Sequence, residues 1–446
     1  MRQEVRTVRI GPHLSPGQWA CFIGKPGLSA ACLDVLPSPP PEETLHQTPV
    51  GTYPPALYVA PGLVGSLARD PGIANVLASA VSAALAVAFL GLATAMVWRP
   101  DRGGISLVGL AVAATPMTVY VVASLNPSGP EIAAGIAFSA GLLRLARAGS
   151  PPRSAWLTIG AAGVVLVLAR APGTAWLVAH LLAFLVWSGR ARLGWLWRHE
   201  RRPLLTVAAL VGVATAGALA WALAVGSDYD LNLRPFPDSL GDGWTPALEA
   251  VSRHAVAVFG YLEYNLPGWI YDTWQSLVIV LLVLALAVGT TRQRVVLLLA
   301  SGGAMLTPVL FQAAILRHTG FPVQGRHLLP LLVVVPLVAG EIVAQRAAGR
   351  APFRLVAIAA GLAAGAVHVG AWYGAARRAA VGIAGTWTFI GRSQWNPPLG
   401  WSLWTLCAVT GAGLLALACA AQPRADEPAE TGRKGPEPAH DPRNTT

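Results

Sequence analysis

From residue 74 to residue 421 the chain alternates long apolar runs with short polar connections. The runs lie near 74–97, 104–124, 131–146, 154–169, 173–188, 203–226, 274–289, 295–316, 327–344, 355–373 and 399–421. Because about 20 apolar residues cross a bilayer as one helix, the pattern predicts an all-α polytopic membrane protein with about eleven transmembrane helices. The runs 131–146 and 173–188 are short, so each is expected to be tilted, re-entrant or extended into its loops.

Three regions follow from this pattern. Residues 1–73 are proline-rich and contain no run of spanning length. Residues 74–421 form the membrane domain, which includes a long acidic and aromatic loop at 227–273. Residues 422–446 are polar, charged and proline-rich, which predicts a disordered tail.

The distribution of arginine predicts the orientation of the chain in the membrane. Alternate connections concentrate arginine and are therefore predicted to be cytoplasmic, whereas the opposite connections hold most of the loop acids. The arginines of the cytoplasmic set are Arg99, Arg102, Arg144, Arg147, Arg153, Arg190, Arg192, Arg198, Arg201, Arg202, Arg292, Arg294, Arg346, Arg350 and Arg354. Residues 1–73 are thus predicted outside, and the tail in the cytoplasm.

Composition supports a lipid bilayer, rather than a nucleic acid, as the partner of this chain. Only 12% of its 446 residues are charged and 54% are hydrophobic, whereas soluble proteins carry about 25% charged residues. The net charge of +11 resides in arginines of short loops and not in one basic groove. We therefore expect a multi-pass protein of the cytoplasmic membrane.

The predicted location of residues 1–73 needs an explanation, because nothing in them resembles a signal peptide. The simpler explanation is that a first membrane helix upstream of Met1 is missing from the sequence. The alternative is a short tail that crosses the membrane unaided, which the early arginines Arg2, Arg6 and Arg9 disfavour.

Two polar stretches of the predicted outer face contain candidate binding residues. In Thr52-Tyr53-Pro54-Pro55 the prolines fix an extended turn, and Tyr53 is either an interfacial anchor or the rim of a lipid-carrier site. In Asn126-Pro127-Ser128-Gly129-Pro130-Glu131, Asn126 and Glu131 either cap the next helix or face a polar cavity that binds sugar hydroxyls or a metal.

A third candidate lies at the mouth of the run 327–344, where Gln324, Arg326 and His327 stand together. An arginine at this position either snorkels to the interface or binds a phosphate through its planar fork. No cysteine and histidine cluster has the spacing of metal ligands, and phosphate-binding loops, hydrolase elbows and HExxH helices are absent from the sequence. No cofactor is therefore evident, and a divalent metal has no sequence support.

The stretches YPPALYVAPGL, NPSGPEIAAGIA, FGYLEYNLPGWIYDTW, QGRHLLPLLVVVPLVAG and WNPPLGW resemble, in this order, a family of bacterial, mainly actinobacterial, membrane proteins. This family is domain of unknown function 2142, and the resemblance extends from about residue 20 to residue 420. It is allied by architecture with GT-C glycosyltransferases, which take sugars from polyprenyl-phosphate carriers on the outer membrane face. The resemblance therefore implies a GT-C-like fold with extracytoplasmic loops.

The resemblance also implies roles for particular residues. Paired loop cysteines of the family match Cys21 and Cys32, which are expected to form a disulfide outside the cell. The family's first helix and its acidic Pro-Asp-Glu type motif, the expected place of a catalytic base, are missing here. Asp34, Glu42 and Glu43 are acids of the corresponding loop, although they do not match the motif.

Three functions remain open at this point. The first is a glycosyltransferase-like enzyme of cell-envelope glycan assembly that uses a polyprenyl-phosphate sugar donor. The second is a non-catalytic scaffold of the envelope, which the missing motif favours. The third is a transporter or flippase of a polar or lipid-linked solute, which predicts internal symmetry and charged residues deep in the helices.

Overall fold

The computed structural model describes residues 6–10, 21–35, 42–225, 235–260, 262–319, 323–347 and 351–423. Helices dominate these residues, and the strands among them form two short antiparallel pairs. Strand β1 (Arg6–Ile10) pairs with β2 (Thr44–Thr48), and β3 (Val258–Phe259) pairs with β4 (Tyr264–Asn265). The prediction of an all-α polytopic protein is confirmed.

The α-helices follow one another through the whole chain. In chain order they are α1 (Ala56–Gly65), α2 (Pro71–Val97), α3 (Val108–Ala113), α4 (Pro116–Val122), α5 (Ser128–Ala146), α6 (Arg153–Ala169), α7 (Gly173–His199), α8 (Arg201–Ala224), α9 (Phe236–Glu249), α10 (Ala255–Ala257), α11 (Gly268–Val288), α12 (Thr291–Thr319), α13 (Leu329–Leu332), α14 (Val334–Arg346), α15 (Ala351–Val381) and α16 (Gly400–Ala420).

All eleven predicted runs are helical, but fewer of them qualify as simple spans. Within the described ranges eight helices are long and apolar enough to cross a membrane, or nine if the bent pair Gly103–Ala113 and Pro116–Val122 is one span. This pair, predicted as one run at 104–124, bends by 70° where Thr115 caps the second helix. The two remaining runs form α5, which is enclosed by other helices, and α6, which has 17 residues.

Helices α5 and α14 form the centre of the bundle. Almost every side chain from Ser128 to Leu145 and from Val334 to Ala344 is buried, and the two helices contact each other. Helices α8 and α16 lie at the periphery and bury few residues, as expected of helices that face lipid. The polar groups of α5 and α14 are therefore shielded from lipid by protein.

One close backbone contact holds the central helix in place. A Cβ atom added to Gly340 of α14 would lie 2.5 Å from the Cα atom of Gly109 in α3. A side chain fits at neither position, so these two glycines permit backbone-to-backbone packing of the kind that membrane helices use for close association.

The connections gather at two opposite ends of the bundle. At one end, Arg147 binds Glu341, Arg192 binds the Leu145 carbonyl and Gly104 donates to the Ala421 carbonyl. We call this the arginine-rich end, and it brings together the connections predicted to be cytoplasmic. The remaining connections, including 123–127, 170–172, 254–267 and 382–399, lie at the other end, which we call the loop end.

Two predicted regions differ from their sequence description. The segment predicted as an outer loop at 227–273 contains α9, which buries Ser239, Gly243 and Ala247 against α12, and the hairpin β3–β4. Residues 226–234 and Tyr261 lie outside the described residues. The predicted tail likewise lies outside them from residue 424 onward.

Candidate functional site

A polar cluster at the loop end is built around Arg170. This residue follows α6 directly, in the tight turn Arg170-Ala171-Pro172 that leads into α7. Its guanidinium donates to the Ser128 hydroxyl (3.2 Å) and to the Tyr53 hydroxyl (3.3 Å), and it lies 5.2 Å from the centroid of the Tyr53 ring. Arg170 thereby joins the start of α5 to the segment that precedes α1.

Glu131 is the buried carboxylate of this cluster. It lies in the first turn of α5, where the helix dipole favours negative charge, and its relative exposure is 0%. Arg170 acts electrostatically on it, yet neither carboxylate oxygen accepts a hydrogen bond from the described residues. Buried polar groups almost always have partners, so a carboxylate whose two oxygen atoms have none among the described residues is a candidate for binding a ligand.

Arg326 and His327 lie in a 3₁₀ turn before the span that begins at Leu329. Arg326 Nε donates to His327 Nε2 over a long distance of 3.5 Å. Burial and then the positive charges of Arg170 and Arg326 hold the pKa of His327 well below its usual range, so its ring is neutral at pH 7. Arg170 acts electrostatically on both Glu131 and His327, so we group these residues as one candidate site.

Close packing fixes this turn. A Cβ atom added to Gly325 would lie 2.2 Å from the Ala255 nitrogen, so the turn presses its backbone against α10. We call Tyr53, Glu131, Arg170, Arg326 and His327 the loop-end cluster. It contains two guanidinium groups, one carboxylate, one neutral imidazole and one phenol.

The tyrosine side of the cluster is anchored from two helices. The Trp221 indole of α8 donates to the Thr52 carbonyl at 3.0 Å, which holds the chain next to Tyr53. Tyr58, on the first turn of α1, buries its hydroxyl without a partner among the described residues. Burial raises the pKa of the Tyr58 phenol, so it remains a neutral donor beside the cluster.

A second group of charges joins the N-terminal segment to the membrane domain. Cys21 and Cys32 are bonded in a disulfide, with their Cα atoms 6.1 Å apart. Arg378, near the end of α15, donates to the Leu28 carbonyl at 2.8 Å and to the Phe22 carbonyl at 2.7 Å. The loop 21–35 is therefore docked on α15.

Glu263 completes this contact. Its carboxylate accepts the Gly24 amide at 2.7 Å and pairs with Arg378 at 3.3 Å, with both side chains largely buried. We call Glu263 and Arg378 the disulfide-loop clamp. The clamp holds the hairpin β3–β4, whose Phe259 ring stacks on Tyr120 at 4.4 Å.

Comparison with known proteins gives one match. The family model described as predicted membrane protein, DUF2142, matches residues 15–240 and 242–335. The chain belongs to this family. No curated protein and no solved structure matches it. The matched ranges of the DUF2142 family include all five residues of the loop-end cluster.

Two sequence-predicted binding residues of this DUF2142 protein lie beside the cluster and not in it. The Asn126 side chain accepts the Ser128 amide at 2.9 Å and so caps the start of α5, which is one of the two roles that its position allowed. Gln324 is half-buried, and its backbone carbonyl accepts the His327 amide at 2.9 Å.

The candidate catalytic acids are placed elsewhere. Asp34, Glu42 and Glu43 are exposed, and Glu43 lies 3.9 Å from Arg9 of the paired strand β1. Among the described residues of the DUF2142 chain no group of three or more His, Cys, Asp or Glu side chains has the arrangement of a metal site. The loop-end cluster is thus the strongest candidate for chemistry.

Sequence reasoning missed the two arginines that organise the loop end. Arg170 was visible only as a lone cation between two apolar runs, and Arg378 as one of several arginines after the run 355–373. A signal was present for Arg170, because a single charge in a three-residue turn between buried helices is costly unless it has partners. Nothing local marks Arg378, whose partners Leu28 and Glu263 are 350 and 115 residues away.

Proposed function

We propose that this DUF2142 protein is a glycosyltransferase-like enzyme that binds a polyprenyl-phosphate-linked sugar at the loop-end cluster. It transfers the sugar to an acceptor hydroxyl on the outer face of the cytoplasmic membrane, during cell-envelope glycan assembly. The observation that carries the proposal is the buried Glu131 carboxylate, which accepts no hydrogen bond from the described residues and experiences the positive charge of Arg170.

The cations of the cluster suit the phosphate of such a donor. Arg170 is oriented by Ser128 and Tyr53, and its Nε atom is buried without an acceptor among the described residues. A guanidinium held in this way presents N–H groups to a phosphate oxygen without further loss of side-chain freedom. Arg326, in contact with His327, adds a second positive charge.

The Glu131 carboxylate can accept hydrogen bonds from hydroxyl groups of the sugar and of the acceptor. A carboxylate is an acceptor of hydrogen bonds, so hydroxyl donors of a ligand remove the cost of its burial. In the proposed reaction an acceptor hydroxyl oxygen forms a bond to the anomeric carbon, and its proton passes to Glu131. The anomeric carbon–oxygen bond breaks, and its electron pair leaves on the polyprenyl phosphate, whose charge Arg170 and Arg326 stabilise.

Position also favours Glu131 over the exposed acids as the base. Asp34, Glu42 and Glu43 are hydrated at the surface, where a carboxylate is already solvated by water. Glu131 lies inside the bundle, where electrostatic interactions with a ligand are stronger than in water. In the reaction as written the proton goes to Glu131, and the negative charge leaves on the polyprenyl phosphate, where Arg170 and Arg326 stabilise it.

Binding and transfer test different parts of the proposal. The purified chain in lipid nanodiscs is titrated with undecaprenyl phosphate, and transfer is measured from a radiolabelled undecaprenyl-phosphate sugar to envelope glycan fragments. We expect Arg170→Gln to weaken binding by about tenfold, which is the loss of one charge-assisted hydrogen bond. We expect Glu131→Gln to keep binding of the bare phosphate carrier but to abolish transfer.

The matched control is Arg153→Gln, which removes one exposed cation at the arginine-rich end. This substitution should change neither the binding of undecaprenyl phosphate nor the transfer of the sugar. If undecaprenyl phosphate binds equally to all variants, the cluster is not its site. If no transfer occurs with any donor, the envelope-scaffold interpretation replaces the enzymatic one.

A further inference from the structure

A cavity at the arginine-rich end has no role in the proposed reaction. Its volume is about 110 Å³, and it lies where the turn 102–105, the start of α15 and the end of α16 meet. One water molecule requires only about 10–15 Å³ in the same measure, so the cavity has room for a polar group of several heavy atoms. Its walls combine Arg102 and Arg354 with the apolar side chains of Ile105, Phe353 and Cys419.

The two arginines face this cavity with unused donors. Arg102 Nε lies 2.8 Å from Asp101, whereas its Nη1 atom is buried without an acceptor among the described residues. Arg354 is exposed, and no hydrogen bond or ion pair joins it to another described residue. Among the described residues the acidic side chain paired with these cations is Asp101, so the two arginines leave net positive charge at the cavity.

The backbone adds to this positive field. Helix α15 begins at Ala351 and continues for 31 residues, so its first turn presents unpaired N–H groups and the positive end of the helix dipole. Phe353 and Arg354, both lining the cavity, belong to this turn. Arginine side chains and a helix start together form a site for an anion.

The apolar lining residues indicate which kind of anion fits the cavity. Ile105, Phe353 and Cys419 line the side of the cavity where helices α15 and α16 descend into the bundle. A free inorganic anion gains nothing from apolar lining residues. A phospholipid, in contrast, places its phosphate at the helix ends and its acyl chains along the helices. The cavity also lies at the end that carries the excess of arginine, which the charge pattern predicts to be cytoplasmic.

We propose that this cavity is a binding site for the headgroup of an anionic phospholipid of the inner leaflet. The phosphate contacts Arg102 and Arg354, and one acyl chain lies against Phe353 and Ile105. Basic pockets between membrane helices on the cytoplasmic side bind such headgroups in general. The site is at the opposite end from the loop-end cluster and does not depend on the proposed reaction.

The test measures lipid binding by native mass spectrometry of the delipidated full chain. The probes are dioctanoyl phosphatidylglycerol, dioctanoyl phosphatidylcholine and inorganic phosphate. We expect phosphatidylglycerol to bind at least about tenfold more tightly than phosphatidylcholine, which corresponds to one or two charge-assisted hydrogen bonds. We expect the double variant R102Q/R354Q to abolish this preference.

Arg153→Gln is the matched control, because Arg153 is an exposed arginine at the same end that lines no part of the cavity. It should keep the full preference for phosphatidylglycerol. If the double variant does not fold, Arg354→Gln alone is tested, since no hydrogen bond or ion pair joins this exposed side chain to another described residue. It should lower the preference by about threefold or more.

Three outcomes would overturn the proposal. The first is equal affinity for the two lipids, and the second is an unchanged preference in the cavity variants. The third is binding of inorganic phosphate as tight as that of phosphatidylglycerol, which would assign the cavity to a soluble anion.

Discussion

Two buried glutamates, one at each end of the bundle, have opposite surroundings. Glu341 at the arginine-rich end accepts two bonds from Arg147, at 3.1 and 2.8 Å, a contact from Arg99 at 3.2 Å and a bond from Gln345 at 3.0 Å. Glu131 at the loop end accepts none from the described residues. Both belong to the two central helices, so burial alone does not explain the difference.

The contrast distinguishes a carboxylate that is paired within the fold from the one that we propose to be functional. The bonds to Glu341 join three connections, and Arg147 also donates to the carbonyls of Met96 and Val97 at the end of α2. This arrangement pairs the Glu341 carboxylate with two arginines. Glu131 leaves hydrogen-bonding capacity unused, and such a group is stable in the fold only because a ligand or its own protonation compensates for the burial.

The largest expected effect on stability comes from removing Glu341, the paired carboxylate at the arginine-rich end. Glu341→Ala leaves Arg147 and Arg99 buried without their counter-charge, and removal of one partner of a buried ion pair costs about 3–5 kcal/mol. We expect a loss of this order in the free energy of unfolding, measured by thermal denaturation in detergent. A loss below that of an ordinary surface substitution would show that water already compensates the two arginines.

A smaller loss is expected at the disulfide-loop clamp. Arg378→Gln removes the charged donors to Leu28 and Phe22 and leaves Glu263 without its counter-charge. Hydrogen bonds to charged groups are worth about 1.5–3 kcal/mol each, so we expect destabilisation of about 2 kcal/mol. Amide exchange in residues 21–35 should rise, whereas the exposed control Arg392→Gln should leave it unchanged.

At Glu131 we expect a substitution to raise, and not lower, the free energy of unfolding. Glu131→Gln removes a carboxylate that has no donor, so the free energy of unfolding of the ligand-free protein should rise by about 1 kcal/mol. Thermal denaturation of this variant beside Glu341→Gln provides the direct comparison. Equal destabilisation of the two would contradict the distinction drawn between the two ends.

The smallest expected effect is on the pH dependence of stability, through His327. The folded state keeps His327 neutral because its pKa lies well below the usual range, whereas the unfolded chain takes up a proton below about pH 6.5. The stability from this residue is therefore complete well above pH 6.5 and falls as the pH is lowered through 6.5, by about 0.8 kcal/mol at pH 6. His327→Gln should reduce this slope, and His199→Gln, at an exposed position, should not.

The sequence predicted the membrane domain better than it predicted the site. Apolar runs report helices directly, because each backbone group in a bilayer must be satisfied within its own segment. Tyr53, Glu131, Arg326 and His327 were also recognisable as polar groups at helix ends. Their grouping around Arg170 could not be recognised in the sequence, because it depends on how the turn 170–172 packs against two other segments.

Other features were hidden for different physical reasons. Glu341 looks like an ordinary charge near the end of a run, and only the packing of three connections reveals its partners. Helix α9 was assigned to a loop because Gly241, Gly243 and Pro246 interrupt its pattern. Its buried positions Ser239, Gly243 and Ala247 are small residues at four-residue spacing, and they pack against α12.

The docking of the disulfide loop has a consequence for the order of assembly. Cys21 and Cys32 are 11 residues apart, so their ring can close as soon as this short segment reaches an oxidising compartment. Its anchor Arg378 is synthesised some 350 residues later. The closed ring must therefore wait for α15, and its docking requires that the chain has been folded as far as the end of that helix.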